Sequence, residues 1–306
     1  MILDDLLSKR LVILSGKGGV GKSVVGMALA VAAHRRGKRV LLVEVDGAKG
    51  SARILGDEPG LSSLNLDPAR VMDEYVRQTV RVDLLARKVL HSLVYRRFFA
   101  AAPGLPELMV LGKIMVLVES HARWSRQPLH DLVIVDAPAT GHGLAFLKVP
   151  LAASEAVPVG PVGNNARRIL RLLRDRERTA LGIVAIPEEM AAVEAAELHR
   201  LATDEVGMTP RVLILNQCHE RRFTAAQEAQ VLRLAAGRAS GPLARGVSLA
   251  GALAAARRHI RRRKLTRFYE TRLRRAIPAP MIALPYLHEE IGPDSIRLLA
   301  GRLEAA

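Results

Sequence analysis

The chain has 306 residues, 49% of them hydrophobic, and a formal net charge of +16 from 46 Lys and Arg against 30 Asp and Glu. No run approaches the roughly 18 unbroken apolar residues of a membrane span, which excludes that class and leaves length enough for one large α/β core. A single cysteine, Cys218, excludes an intrachain disulfide and any all-protein Cys₄ zinc or iron–sulfur site within one chain.

At the N-terminus MILDDLLSKR lacks a cleavable signal pattern, so the expected compartment is the cytoplasm. RLVILS at 10 to 15 is a short apolar run that ends at glycine. Val24 to His34 is then apolar over a helical length before Arg35, Arg36 and Gly37, which spells strand, loop, helix and glycine stop. RVLLVEVD at 39 to 46 is dense in Val and Leu, as expected of a strand buried on both faces of a parallel sheet. Similar runs recur as LVIVD at 132 to 136, GIVAI at 182 to 186, RVLILN at 211 to 216 and PMIAL at 280 to 284. Most are separated by helical patterns such as Glu188 to Thr203, and this alternation predicts a doubly wound, mostly parallel sheet with helices on both faces. Residues 70 to 127 keep a helical periodicity broken near Pro103 to Pro106 and are predicted to be a helical insertion in a single domain over 1 to 306. Within it, LMVLGKIMVLV suits an adaptable apolar client surface.

The residues between the first strand and first helix carry the chemistry. GKGGVGKS at 16 to 23 fits G-x-x-x-x-G-K-[ST], in which backbone N–H groups of a glycine-rich loop cradle phosphates. Lys22 then reaches the β and γ phosphates and Ser23 meets magnesium. The candidate binding set is Gly16, Lys17, Gly18, Gly19, Val20, Gly21, Lys22, Ser23 and Val24, at the dipolar start of a helix. Asp136 ends a buried strand, where a metal-binding carboxylate is expected.

Lys17, the second lysine, makes KGGVGK[ST] resemble the deviant Walker A loop of the MinD, ParA, nitrogenase-reductase and ArsA superfamily. That resemblance implies a lysine that crosses a dimer interface to phosphates held by the other subunit, a cation delivered in trans to transition-state charge. VIVDAPATGHGLAFLKVP at 133 to 150 is similar to the DTAPTGHTLRFLELP-type segment of the ArsA and GET ATPases. LLVEVDGAKG at 41 to 50 stands where that family has LLVSTDPAHN, so Asp46 resembles the carboxylate that orients the attacking water and helps hold magnesium, although the following Pro-Ala-His is absent. AIPEEMAAVEAAELHRL at 185 to 201 resembles the family's PE-x-M-x-x-x-E-x-x-R helix start. ILNQ at 214 to 217 and LPYLHEEIG at 284 to 292 resemble its adenine-reading segments and point to Asn216, Pro285 and Tyr286.

The resemblance implies ATP and Mg²⁺ as ligands and a homodimer, or a heterodimer with a paralogous ATPase, that answers to a protein client. One cysteine cannot supply a metalloid site of clustered thiolates or the CxxC pair of a zinc-bridged dimer, so neither is expected. Two alternatives stand beside it: a ParA or MinD-type positioning ATPase that binds DNA or membrane, and a regulatory subunit that holds nucleotide without appreciable turnover. The charge bears on partners rather than fold. It concentrates in ARRILRLLRDRER at 166 to 178 and in residues 256 to 275, which suggest an anionic partner.

Overall fold

The computed structural model describes residues 2–45, 51–56, 59–79, 104–121, 127–138, 143–237, 242–244 and 247–306. The expected strands form at β1 (Leu11–Ser15), β2 (Val40–Val45), β4 (Leu132–Asp136), β5 (Thr179–Ala185), β6 (Val212–Cys218) and β9 (Met281–Pro285), with β3 (Leu61–Leu66) added. They make one seven-stranded sheet in the order β3-β2-β4-β1-β5-β6-β9, every pair parallel. β1, β2, β4 and β5 are buried at every position, which is why their sequences are nearly continuous apolar runs rather than alternating ones. β3, LSSLNL, is an edge strand and is buried only at its two ends, so no such run announces it.

Helices cover both faces. One face carries α1 (Ile2–Leu7), α2 (Lys22–Arg35) and α11 (Pro293–Glu304), which pack with Val12, Leu14, Leu42, Ile134 and Ile214. The short α3 (Ser51–Leu55) joins them through Leu55. On the other face, α5 (Leu105–Glu119), α6 (Gly143–Ala156) and α7 (Pro161–Arg174) pack over Ile13, Val43 and Val135. Beside them α8 (Glu189–Leu201) and α10 (Leu249–Ala276) cover Ile183, Leu213 and Leu215. α2 stops as its sequence foretells, with Gly37 at φ 76° donating its N–H to the His34 carbonyl at 2.8 Å. α8 runs on into a π-helical turn at Ala202–Val206.

The predicted insertion supplies α4 (Pro68–Thr79) and α5, and residues 80–103 and 122–126 of it lie outside the described set. The break near Pro103 to Pro106 is where Gly104, at φ 81°, caps α5 and Pro106 enters its first turn. Leu108, Val110, Leu111, Ile114, Met115 and Val118 of α5 are all buried in the core under the sheet. The apolar run expected to offer a client surface is thus largely consumed by packing, because α5 is sandwiched against β4, α6 and α7 rather than left at the rim. α9 (Ala225–Ala236) opens with a capping box in which Thr224 Oγ1 accepts the Gln227 N–H. A short antiparallel pair, β7 (Pro242–Ala244) and β8 (Val247–Ser248), then leads to α10, whose Ser248 cap accepts the Gly251 N–H at 3.1 Å.

Candidate nucleotide site

The sheet's parity sets the site. Val40 and Leu42, Leu132 and Ile134, and Val212 and Ile214 all face α2, so Glu44, Asp136 and Asn216, two residues further along each strand, face the same way at the strands' carboxyl ends. The chain reverses direction across the sheet at β1, and a ligand crevice is expected at such a switch point. The loop at 16–21 leaves β1 there and delivers its last residues into the first turn of α2.

Two glycines in that loop are required by contact. A Cβ on Gly16 would stand 2.1 Å from the Val184 carbonyl oxygen of neighbouring β5. One on Gly21, at φ +86°, would stand 2.4 Å from Asn216 Nδ2. Asn216 is buried and donates from Nδ2 to the Val20 carbonyl at 3.0 Å, tying the end of β6 to the glycine-rich loop.

Lys22 is buried and donates to the carbonyls of Gly16 at 3.0 Å and Lys17 at 3.2 Å, which folds the loop around its ammonium. Burial pushes its pKa down and the charge of Asp136 pulls it part of the way back. A desolvated cation held by loop carbonyls at a helix start is a site that gains from an incoming anion. Ser23 donates to Asp136 Oδ2. Burial raises the Asp136 pKa most, the Ser23 hydrogen bond and Lys22 oppose it, and Glu44 adds a smaller upward push. Asp136 Oδ1 is buried and has no hydrogen-bond partner among the described residues. A hydroxyl and an orphaned carboxylate oxygen side by side fit the oxygen-donor chemistry of a magnesium site.

Lys17 is half-buried and turned to Glu194 of α8, with which it forms an ion pair. Gly18 and Gly19 are exposed on the loop's turn, Val20 is buried and Val24 is half-buried in α2. Asp46 lies outside the described residues, as do Gly141 and His142 of the second signature segment. Pro285 closes β9 opposite Cys218, and the Tyr286 N–H donates to the Cys218 carbonyl at 2.9 Å. Cys218 itself is buried, its thiol pushed up to about 12 by desolvation.

Tyr286 borders a cleft of about 220 Å³, to which the motif residues Pro187, Glu188 and Gln217 also contribute. Ile186, Pro187, Gln217, His219 and Arg262 share that lining. His219 stacks on Tyr286 with ring centroids 4.8 Å apart, and Arg262 lies 5.9 Å over the same ring. Burial, with Arg262, His259, His288 and Arg222 around it, lowers the His219 pKa to about 4, so its ring is neutral at neutral pH. Gln217, at φ 57°, stands out locally, whereas His219 and Arg262 carry no motif and meet only through the fold.

The parallel sheet and the loop that leaves its switch point place this chain among P-loop NTPase folds. Residues 9–159 match the family described as anion-transporting ATPase. ATPase BagA of Mycobacterium tuberculosis is 30% identical over 203 residues, covering 61% of this chain and 59% of that protein. An arsenical pump-driving ATPase of Acidiphilium multivorum is 28% identical over 229 residues, 66% of this chain and 38% of its own length. ATPase GET3 of Malassezia globosa is 28% identical over 164 residues, 50% and 46% of the respective chains. The chain therefore spans 59% of the mycobacterial relative's length and less of the other two. Over the matched segment the chain is similar to ATPases of the ArsA/GET type.

Proposed function

We propose that the protein is a magnesium-dependent ATPase in which nucleotide binding joins two subunits and hydrolysis releases them, within one domain spanning 1 to 306 that carries the helical insertion. The observation that carries this reading is the buried Lys22 ammonium beside the Ser23–Asp136 pair, a preformed cation and metal cradle at the end of β1. Lys22 and the loop N–H groups bind the phosphates, and Ser23 with Asp136 would hold Mg²⁺, which neutralises charge on the phosphate oxygens. Asn216 meets the adenine, with Pro285 and Tyr286 beside it. Asp46 orients the water that attacks the terminal phosphorus as the bond to the leaving phosphate oxygen breaks. Lys17 supplies the trans cation, and to do so it must first leave Glu194. The second subunit is another copy or a paralogous ATPase, and a protein client reads the closed state.

The test measures ATP turnover across a protein dilution series with and without magnesium. Turnover per subunit should rise with concentration. Lys22→Ala should lose nucleotide binding, and Lys17→Ala should bind nucleotide yet lose the concentration-dependent rate. A rate per subunit that is independent of dilution and untouched by Lys17→Ala would reject the dimeric mechanism. Nucleotide binding without turnover at any concentration would favour the regulatory-subunit alternative.

A further inference from the structure

Helix α10 presents a second surface that the nucleotide site does not use. Of its 28 residues only Leu253, Ile260, Thr266 and Leu273 are buried. Arg257, Arg261, Lys264, Phe268, Arg272 and Arg275 are all exposed, and their spacings of four, three, four, four and three put them in one row along the helix. At 1.5 Å per residue that row is about 27 Å long. Glu270 is the helix's one acid, and it is committed to Arg274 at 3.1 Å. None of the row's five cations is in an ion pair among the described residues. Phe268 sits within the row 57% exposed, its ring set edge-on against Tyr269, and Leu265 beside it is 42% exposed.

We propose that this face of α10 docks on a membrane surface rich in anionic phospholipid. A straight row of unpaired cations demands a partner that presents many negative charges over nearly 30 Å. The apolar pair in its midst decides the class. A duplex backbone offers phosphates and no apolar layer, and base stacking would need more than one exposed ring on this face. A lipid interface offers both phosphate and carboxylate heads and, a few ångströms below them, acyl chain for Phe268 and Leu265, with the arginine and lysine stems reaching back to the heads. The attachment is peripheral, since no described helix is long and apolar enough to cross a membrane. None of the row's six residues belongs to the loop, the metal cradle or the Tyr286 cleft, although Leu265 beside the row lines that cleft.

The test is co-sedimentation of the full chain with vesicles of phosphatidylcholine alone or mixed with phosphatidylserine, at low and at physiological salt, with a DNA duplex tested in parallel. Binding should require phosphatidylserine and weaken with salt. Each cation contributes roughly five-fold to partitioning, so the double change Arg261→Glu with Lys264→Glu should lower it by about a hundredfold or more. Phe268→Ala, which keeps every charge, should lower it several-fold and separates insertion from simple charge attraction. Thermal melting and nucleotide binding of both variants should match the parent, since the replaced side chains are exposed. The proposal is overturned by absence of vesicle binding, by vesicle binding that neither variant alters, or by DNA bound more tightly than vesicles at the same salt.

Discussion

Gly21→Ala tests whether the phosphate loop and the end of β6 are one mechanical unit. The new Cβ would sit at φ +86° and 2.4 Å from Asn216 Nδ2, a separation that forces the buried amide aside. The left-handed backbone costs a non-glycine residue about 1 kcal/mol. Displacing Asn216 also breaks its bond to the Val20 carbonyl and strands a buried acceptor, which costs roughly 1–3 kcal/mol more. The expected loss is about 2–4 kcal/mol. Gly19→Ala is the matched control, because its φ is +84° but its Cβ meets nothing within 4 Å, leaving only the backbone cost. Urea unfolding of the three proteins measures the difference between the variants, and titration with a fluorescent ATP analogue follows the site. Gly21→Ala should be about 1–3 kcal/mol less stable than Gly19→Ala. If the two agree within ~0.5 kcal/mol, the Asn216 contact does not hold the loop and the reasoning fails.

Asp136→Asn should stabilise the nucleotide-free protein at neutral pH while abolishing stabilisation by magnesium nucleotide. The native carboxyl has a raised pKa, so the folded state holds its proton to higher pH and stability falls as pH climbs from 3.8 through that raised value. A tenfold gain in proton affinity on folding corresponds to about 1.4 kcal/mol, and melting curves should show the variant's advantage at pH 7 disappear in acid. Asp131 behaves in the opposite sense: Arg39 grips it through Nε at 3.0 Å and Nη2 at 2.7 Å and lowers its pKa to about 2. Its contribution is therefore present above pH 4 and lost as pH falls toward 2, and Asp131→Asn should cost roughly 1 kcal/mol at pH 7 after solvent screening, with no penalty in strong acid. Glu194→Gln should release Lys17 and raise ATP-dependent turnover at low protein concentration several-fold. An unchanged dilution curve would show that this ion pair does not restrain it.

Much of the site's geometry lies open in the order of residues. A strand, a glycine-rich loop and a helix stop can be read locally, because burial on both faces forces unbroken apolar runs and close backbone approach forces glycine. The two-residue period of a strand likewise sets Asp136 and Asn216 on the face of α2, in step with Ile134 and Ile214. The edge strand β3 is illegible, since a strand half in contact with solvent needs no apolar run. α5 departs from expectation for the converse reason, as an apolar helix reads alike whether it lines a groove or a core. Only the tertiary structure sets Lys17 against Glu194, 177 residues away, and brings His219 and Arg262 to Tyr286. Periodicity determines which side of an element avoids water. Which elements then meet is decided by crossovers and strand order, and those are properties of the whole chain's packing.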